Sequence, residues 1–261
     1  MAQNEYIFAV TRVHMREAAL LGRAGYEQLL AAPDYDAALA VLAEKGWDIH
    51  NSDPAAVLAA RRDECWEFLG QMVEDMTPFD VFLVQNDYHN LKAAIKRTAT
   101  GSDAQPVFLS KGTVPVEDFL RAAESRDFSR LPEPMARAGA AAWSVMQTSG
   151  DGRQCDILLD TAALEALLLA GKASGHPLLA RYAELTVAAA DIKTAVRCAR
   201  LQKPQAFVRA ALVECQTLSA DRLARAATQG EEAVNHLYQQ YTMLKNAIRE
   251  MGGYEADEEI D

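Results

Sequence analysis

Three stretches of this 261-residue chain share one pattern of apolar and aromatic residues, which recur at alternating spacings of three and four. Residues at this spacing share one face of an α-helix. The pattern therefore predicts three long amphipathic helices that pack nearly parallel to their neighbours, in bundles. The three sets are Val81, Val84, Tyr88, Leu91 and Ile95; Tyr182, Leu185, Ala189, Ile192 and Val196; and Val234, Leu237, Tyr241, Leu244 and Ile248.

Polar positions repeat with the apolar ones. The sequence (Leu/Ile)-Lys-x-Ala-(Ile/Val)-(Lys/Arg) occurs at 91–96, 192–197 and 244–249, and segments 113–123 and 217–227 share an acid, an apolar residue, an Arg and Ala-Ala at matched places. The repeat predicts related helical units at residues 1–101 and 102–203 and a shorter third unit at 204–254. The acidic residues at 255–261 are expected to form a frayed tail. The alternative is that ordinary amphipathic helices happen to share a heptad.

The rest of the chain also favours helix, because Ala, Leu, Arg, Glu and Gln dominate and no segment alternates apolar and polar residues. We expect an all-α fold. A first helix is predicted from about Glu5 to Ala32, with residues such as Ile7, Val10 and Leu20 towards the core. A capping side chain before Pro54 predicts another helix start. Asp160 is predicted to cap a helix that runs to about Ala173.

Charge and cysteine content limit the classes of function that this chain is expected to have. Half of the residues are apolar, and 26 Lys+Arg against 37 Asp+Glu give a formal net charge of −11. An acidic protein is a poor ligand for nucleic acid, which needs a basic surface. A helix that spans a membrane needs about 20 consecutive apolar residues, and every uncharged stretch of this sequence is shorter. Four scattered cysteines and the absence of a signal pattern favour reduced thiols in a cytoplasmic protein.

Motifs for catalysis and cofactor binding are missing from the sequence. No phosphate-binding glycine loop, HExxH, GxSxG or CxxC is present. His14 and Glu17 lie on one helix face but are better explained as a surface pair than as part of a metal site. Asp156 and Asp160 suit acid–base chemistry only if both line a cleft. We therefore expect no catalytic, cofactor-binding or metal-binding residue and no small-molecule substrate.

Several motifs resemble the C subunit (d in eukaryotes) of V-type and A-type rotary ATPases. The opening Tyr6 to Leu21 is similar to the family's Tyr…ArgxArgxxGluxxLeuLeu, with His14 at the second Arg. Residues 87–92 resemble Asp-(Phe/Tyr)-x-Asn-Leu-Lys, the most specific of these elements. Segments 111–114, 127–132 and 191–197 look like parts of the second unit. The resemblance covers about residues 5–227, and the family's Gly-Pro-Glu turn near the end is missing.

This resemblance implies a non-catalytic rotor part: a funnel of three related helical units, the third contracted. It implies contacts with the shaft subunits of the ATPase head and with the membrane proteolipid ring, on the cytoplasmic face of the membrane, and torque transmission for proton or sodium transport. Two alternatives remain, a soluble helical scaffold or adaptor and a helical enzyme without a recognisable motif. The structural or interface candidates are Asp87, Tyr88, Asn90, Lys92, Asp191, Lys193 and Arg197.

Overall fold

The protein is described by a computed structural model that covers residues 7–18, 20–50, 53–101 and 108–239. Every regular element in these ranges is helical, which confirms the all-α prediction. A 3₁₀ turn occupies Thr77–Phe82. The α-helices are α1 (Ile7–Glu17), α2 (Arg23–Ala31), α3 (Tyr35–Glu44), α4 (Pro54–Gly70), α5 (Val84–Thr100), α6 (Val116–Ser125), α7 (Glu133–Thr148), α8 (Gly152–Ala173), α9 (Pro177–Arg200), α10 (Gln205–Ala210), α11 (Ala220–Gln229) and α12 (Glu231–Gln239).

The chain divides into two compact units, residues 1–76 and 77–261. In the first unit, aspartates cap the starts of α3 and α4. Asp34 accepts a hydrogen bond from the Ala37 N–H at 2.8 Å, and Asp53 accepts one from the Ala56 N–H at 2.9 Å. Asp53 stands directly before Pro54, as the sequence predicted, because proline fits the first turn and the aspartate satisfies a free backbone donor.

The prediction of one continuous first helix is wrong. Helix α1 ends at Glu17 and α2 begins at Arg23, with Gly22 in an extended conformation between them. Glycine is a poor helix residue, and here it stands at the N-cap position just before α2. Ile7, Val10 and Leu20 were expected to face the core, but 58%, 50% and 65% of their surfaces are exposed.

The second unit contains one continuous apolar core. Helix α8 lies at its centre and packs against α5, α7 and α9. Its crossing with α9 is close, because a Cβ on Gly171 would lie only 2.5 Å from the Cβ of Ala183. Small residues at this crossing thus let two long helices approach each other.

The repeated helices bury the residues that their spacing predicted. Leu91, Ile95, Ile192 and Val196 are all at most 3% exposed, on α5 and α9. Arg197 is exposed, as predicted, whereas Lys96 is only 38% exposed and its ammonium group is paired with Asp156. Val234 and Leu237 of the third set are also buried on α12.

Other predictions lie outside the described residues. They concern the third helix from Gln240 to Met251 and the acidic tail at 255–261. The division into three units at residues 101 and 203 stays a prediction.

The predicted cap at Asp160 is wrong. Helix α8 begins eight residues earlier, at Gly152, and its cap is Asp151, which accepts from the N–H groups of Arg153 and Gln154 at 2.9 and 3.1 Å. Asp160 lies inside the helix. An aspartate is a mediocre helix former in isolation, but an ion pair with another helix occupies this one, as described below.

Candidate functional site

Polar side chains on α5 hold the loop that follows this helix. Asn90 is fully buried; its Nδ2 donates to the Leu109 carbonyl at 3.0 Å, and its Oδ1 accepts from the Leu109 N–H at 2.8 Å. One turn earlier, Asn86 Nδ2 donates to the Lys111 carbonyl at 2.8 Å. The loop backbone is therefore fixed by amide groups that supply both a donor and an acceptor.

Asp87 completes this arrangement. It is fully buried and accepts from the Thr113 N–H at 2.9 Å, the Thr113 hydroxyl at 2.7 Å and the Val114 N–H at 3.2 Å. Burial raises the pKa of the Asp87 carboxyl, and the hydrogen bonds from Thr113 and Val114 oppose that rise. A Cβ on Gly112 would overlap the carboxylate, so this position requires glycine. Asn86, Asp87 and Asn90 with loop residues 108–114 are called the first loop clamp.

A similar set of contacts holds loop 211–219 to α9. Asp191 is 1% exposed, and both of its carboxylate oxygens lie 3.2 Å from the Val213 nitrogen, which donates to them. Glu184, two turns earlier, accepts from the N–H groups of Gln216 at 2.5 Å and Thr217 at 3.1 Å. Glu184 and Asp191 with loop residues 211–219 are called the second loop clamp.

The two clamps occupy equivalent places in the sequence repeat. Asp191 follows Asn90 by 101 residues, the offset that relates the helices. Val213 follows Leu109 by 104 residues, the offset that relates segments 113–123 and 217–227. A side chain at the same helical position thus binds the same loop position in both halves of the second unit.

Two ion pairs join α5 to α8. Lys92 Nζ lies 2.6 Å from Asp160 Oδ1, and Lys96 Nζ lies 2.6 and 2.8 Å from the two oxygens of Asp156. The lysines are one turn apart on α5 and the aspartates one turn apart on α8, so the pairs form a ladder between the helices. The two carboxylates considered for acid–base chemistry are therefore engaged with lysines.

The remaining candidates have different surroundings. Tyr88 is 2% exposed on α5, and burial raises its pKa to about 12, so the phenol is neutral at physiological pH. Lys193 is half-buried and Arg197 is exposed on α9. His14 and Glu17 form the predicted surface pair, with 2.7 Å between Nδ1 and Oε2 and both side chains exposed.

The clamps are suited to holding a fold, since their polar groups bind backbone. Sequence reasoning identified Asp87, Asn90 and Asp191 but missed Glu184, Gly112 and the loop partners. The sequence signal that can identify such clamp residues is a polar residue within an apolar helix face, such as Asn90 beside Leu91. Over the ranges that the structure describes, no group of three or more His, Cys, Asp or Glu is placed to hold a metal ion. No described helix is long and apolar enough to cross a membrane.

Comparison with known proteins identifies the family. Over 121 residues the chain is 30% identical to the C subunit of the V-type ATP synthase from two strains of Thermus thermophilus. The match spans 45% of this chain and 38% of each relative. The model of the family described as ATP synthase (C/AC39) subunit matches residues 9–261, which include the end of the chain where the motifs stop. The chain therefore belongs to the ATP synthase (C/AC39) subunit family.

Proposed function

We propose that this protein is the non-catalytic stalk subunit of a V-type or A-type rotary ATPase. In this role it links the shaft of the ATP-hydrolysing head to the membrane proteolipid ring and transmits torque for proton or sodium transport. It acts at the cytoplasmic face of the membrane without entering it. Family membership over residues 9–261 is the observation that carries the proposal.

The interior of the second unit supports a mechanical role. A part that transmits torque must resist bending and shear, which requires tightly packed helices with fixed neighbours. Helix α8 packs against three other helices, and the lysine–aspartate ladder links it to α5. The two loop clamps fasten loops to the long helices. These contacts occupy Asp87, Asn90, Lys92 and Asp191, which we propose are structural residues.

Arg197 is the candidate for a direct partner contact. It lies on α9 at the position equivalent to Lys96, but it is exposed, whereas Lys96 is bound to Asp156. An exposed guanidinium suits a carboxylate on a partner surface. We propose Arg197 as an interface residue for the shaft or the ring.

Binding of the full chain to the purified shaft subunits of its rotary ATPase tests the proposal. We expect a complex in size-exclusion chromatography and no ATP hydrolysis by the chain alone. Arg197→Ala is compared with Arg222→Ala, which removes an exposed arginine from α11. If the wild-type chain bound neither the shaft nor the ring, the scaffold alternative would be favoured. Equal shaft and ring binding by the two variants would remove Arg197 from the interface.

A further inference from the structure

The two loop clamps differ in one chemical respect. Asn90 uses both sides of its amide, donating to the Leu109 carbonyl and accepting from the Leu109 N–H. An ionised Asp191 in the same place has only acceptors, and within the described residues both of its oxygens accept from the Val213 N–H. A neutral carboxylic acid has an acceptor and a donor, as the asparagine amide has. Protonation therefore makes Asp191 the chemical counterpart of Asn90.

The surroundings of Asp191 offer little to stabilise a negative charge. Arg209 on α10 is a cation that lowers the pKa of Asp191, but its guanidinium is also engaged with Asp221 at 2.6 Å and with the Leu212 carbonyl at 3.2 Å. Glu214 in the loop adds a like charge. The Cys215 thiol also lies near, with a pKa that burial raises to about 11, so it is neutral.

Helices α8, α11 and α12 also pack against α9, and their described buried residues include no cationic side chain. These residues are apolar apart from Tyr238 and Cys155, and burial raises the pKa of the Cys155 thiol. Glu184 on α9 itself is acidic and binds the loop backbone. Burial raises the pKa of Asp191 to about 7, although the Val213 N–H and Arg209 oppose the rise.

We propose that Asp191 is a protonatable latch: with its proton it holds Val213 on both the N–H and the carbonyl side, and ionisation loosens loop 211–219 from α9. The first loop clamp, built on a neutral amide at Leu109, holds its loop independently of this proton. The latch is a property of the fold and does not depend on the proposed function.

The latch has a defined pH dependence. The pKa of an aspartate in an unfolded chain is about 3.9, well below the folded value for Asp191. The folded state therefore binds the proton more tightly, and the stabilisation it provides is greatest at low pH. This contribution is lost as pH rises from about 4 to about 7 and then stays constant.

Carboxyl NMR of the full chain with ¹³C-labelled aspartate tests the latch, with Asp191→Asn to assign the signal. We expect the Asp191 carboxyl to titrate near pH 7. We also expect Asp191→Asn to fold. The Tm of this variant minus the Tm of wild type should increase by about 5 °C when the pH is raised from about 5.5 to about 8. Asn90→Asp, the matched variant, should acquire a similar pH dependence in the first loop clamp.

Three results would overturn the latch. The first is an Asp191 carboxyl that titrates at an ordinary acidic pH, as it would if Arg209 left Asp221 to pair with it. The second is a difference in Tm between wild type and Asp191→Asn that does not change with pH. The third is failure of Asp191→Asn to fold, since the neutral side chain is the form that the latch requires.

Discussion

Leu109 and Val213 lie at equivalent places in two loops, and each is bound by a buried side chain from a long helix. At Leu109 the binding group is the Asn90 amide, which makes two hydrogen bonds to this one residue. At Val213 it is the Asp191 carboxyl group, which accepts from the N–H alone. The helices use different chemistry at equivalent positions, and yet each keeps its loop against the core. The attachment of a loop to a long helix is therefore repeated, whereas the side chain that makes the attachment differs between Asn90 and Asp191.

The buried apolar residues of the repeat, Leu91 and Ile95 on α5 and Ile192 and Val196 on α9, are called the apolar seams of these helices, and their truncation should have the largest effect. Leu91→Ala and Ile192→Ala each remove a buried side chain from equivalent positions on α5 and α9. We expect each to lower the free energy of unfolding by about 2–5 kcal/mol, through lost burial and a residual cavity. Denaturant unfolding measures both.

Leu201→Ala is the matched control, because Leu201 is 67% exposed. It should change the free energy of unfolding by less than about 0.5 kcal/mol. If Leu91→Ala proved as mild as this control, the equivalence of the two seams would fail.

Gly112→Ala should disturb the first loop clamp. The new methyl group overlaps the Asp87 carboxylate, which hydrogen bonds to Thr113 and Val114 hold in place. We expect a loss of about 1–3 kcal/mol in thermal or denaturant unfolding, typical of overpacking. Gly70→Ala serves as the control, since nothing lies near its Cβ position. Equal stability of the two variants would mean that Asp87 is free to move.

Removal of the Asn90 amide breaks the first loop clamp selectively. Asn90→Ala leaves the Leu109 N–H and carbonyl without their side-chain partners, which should cost about 1–3 kcal/mol. Hydrogen exchange should show lost protection at Leu109 while Val213 keeps its protection. If both loops lost protection together, the clamps would not be independent.

The smallest effect is expected at the ladder between α5 and α8. Lys92→Met removes a pair in which Lys92 is 23% and Asp160 61% exposed. Solvent weakens such a pair, so stability should fall by less than about 1 kcal/mol and shaft binding should persist. Asp160→Asn removes the same pair from the other side and should match it. Unchanged stability with abolished shaft binding would make Lys92 an interface residue.

The sequence predicted those features that depend on local pattern. The seam residues Leu91 and Ile192 are buried because heptad spacing places them on one helix face. The cap at Asp53 follows from a short motif before Pro54. Membership of the family was also predicted from motifs between about residues 5 and 227, and the match to the family model reaches residue 261.

Features that depend on distant contacts were not predictable in the same way. The partners of Asn90 and Asp191 lie 19 and 22 residues away in loops without any periodic pattern. Asp160 has the composition of a cap, and only the position of Lys92 on another helix reveals its role. The break at Gly22 was missed because the apolar spacing on either side suggested a continuous helix.

The role that we propose for the chain is to couple ATP hydrolysis to ion transport without catalysing either. The most direct test is ATP-driven ion uptake into vesicles that carry the rotary ATPase, with and without this chain. We predict that removal of the chain abolishes ion uptake while the head continues to hydrolyse ATP, and that adding the purified chain restores uptake. Ion uptake at the same rate without the chain would contradict the account.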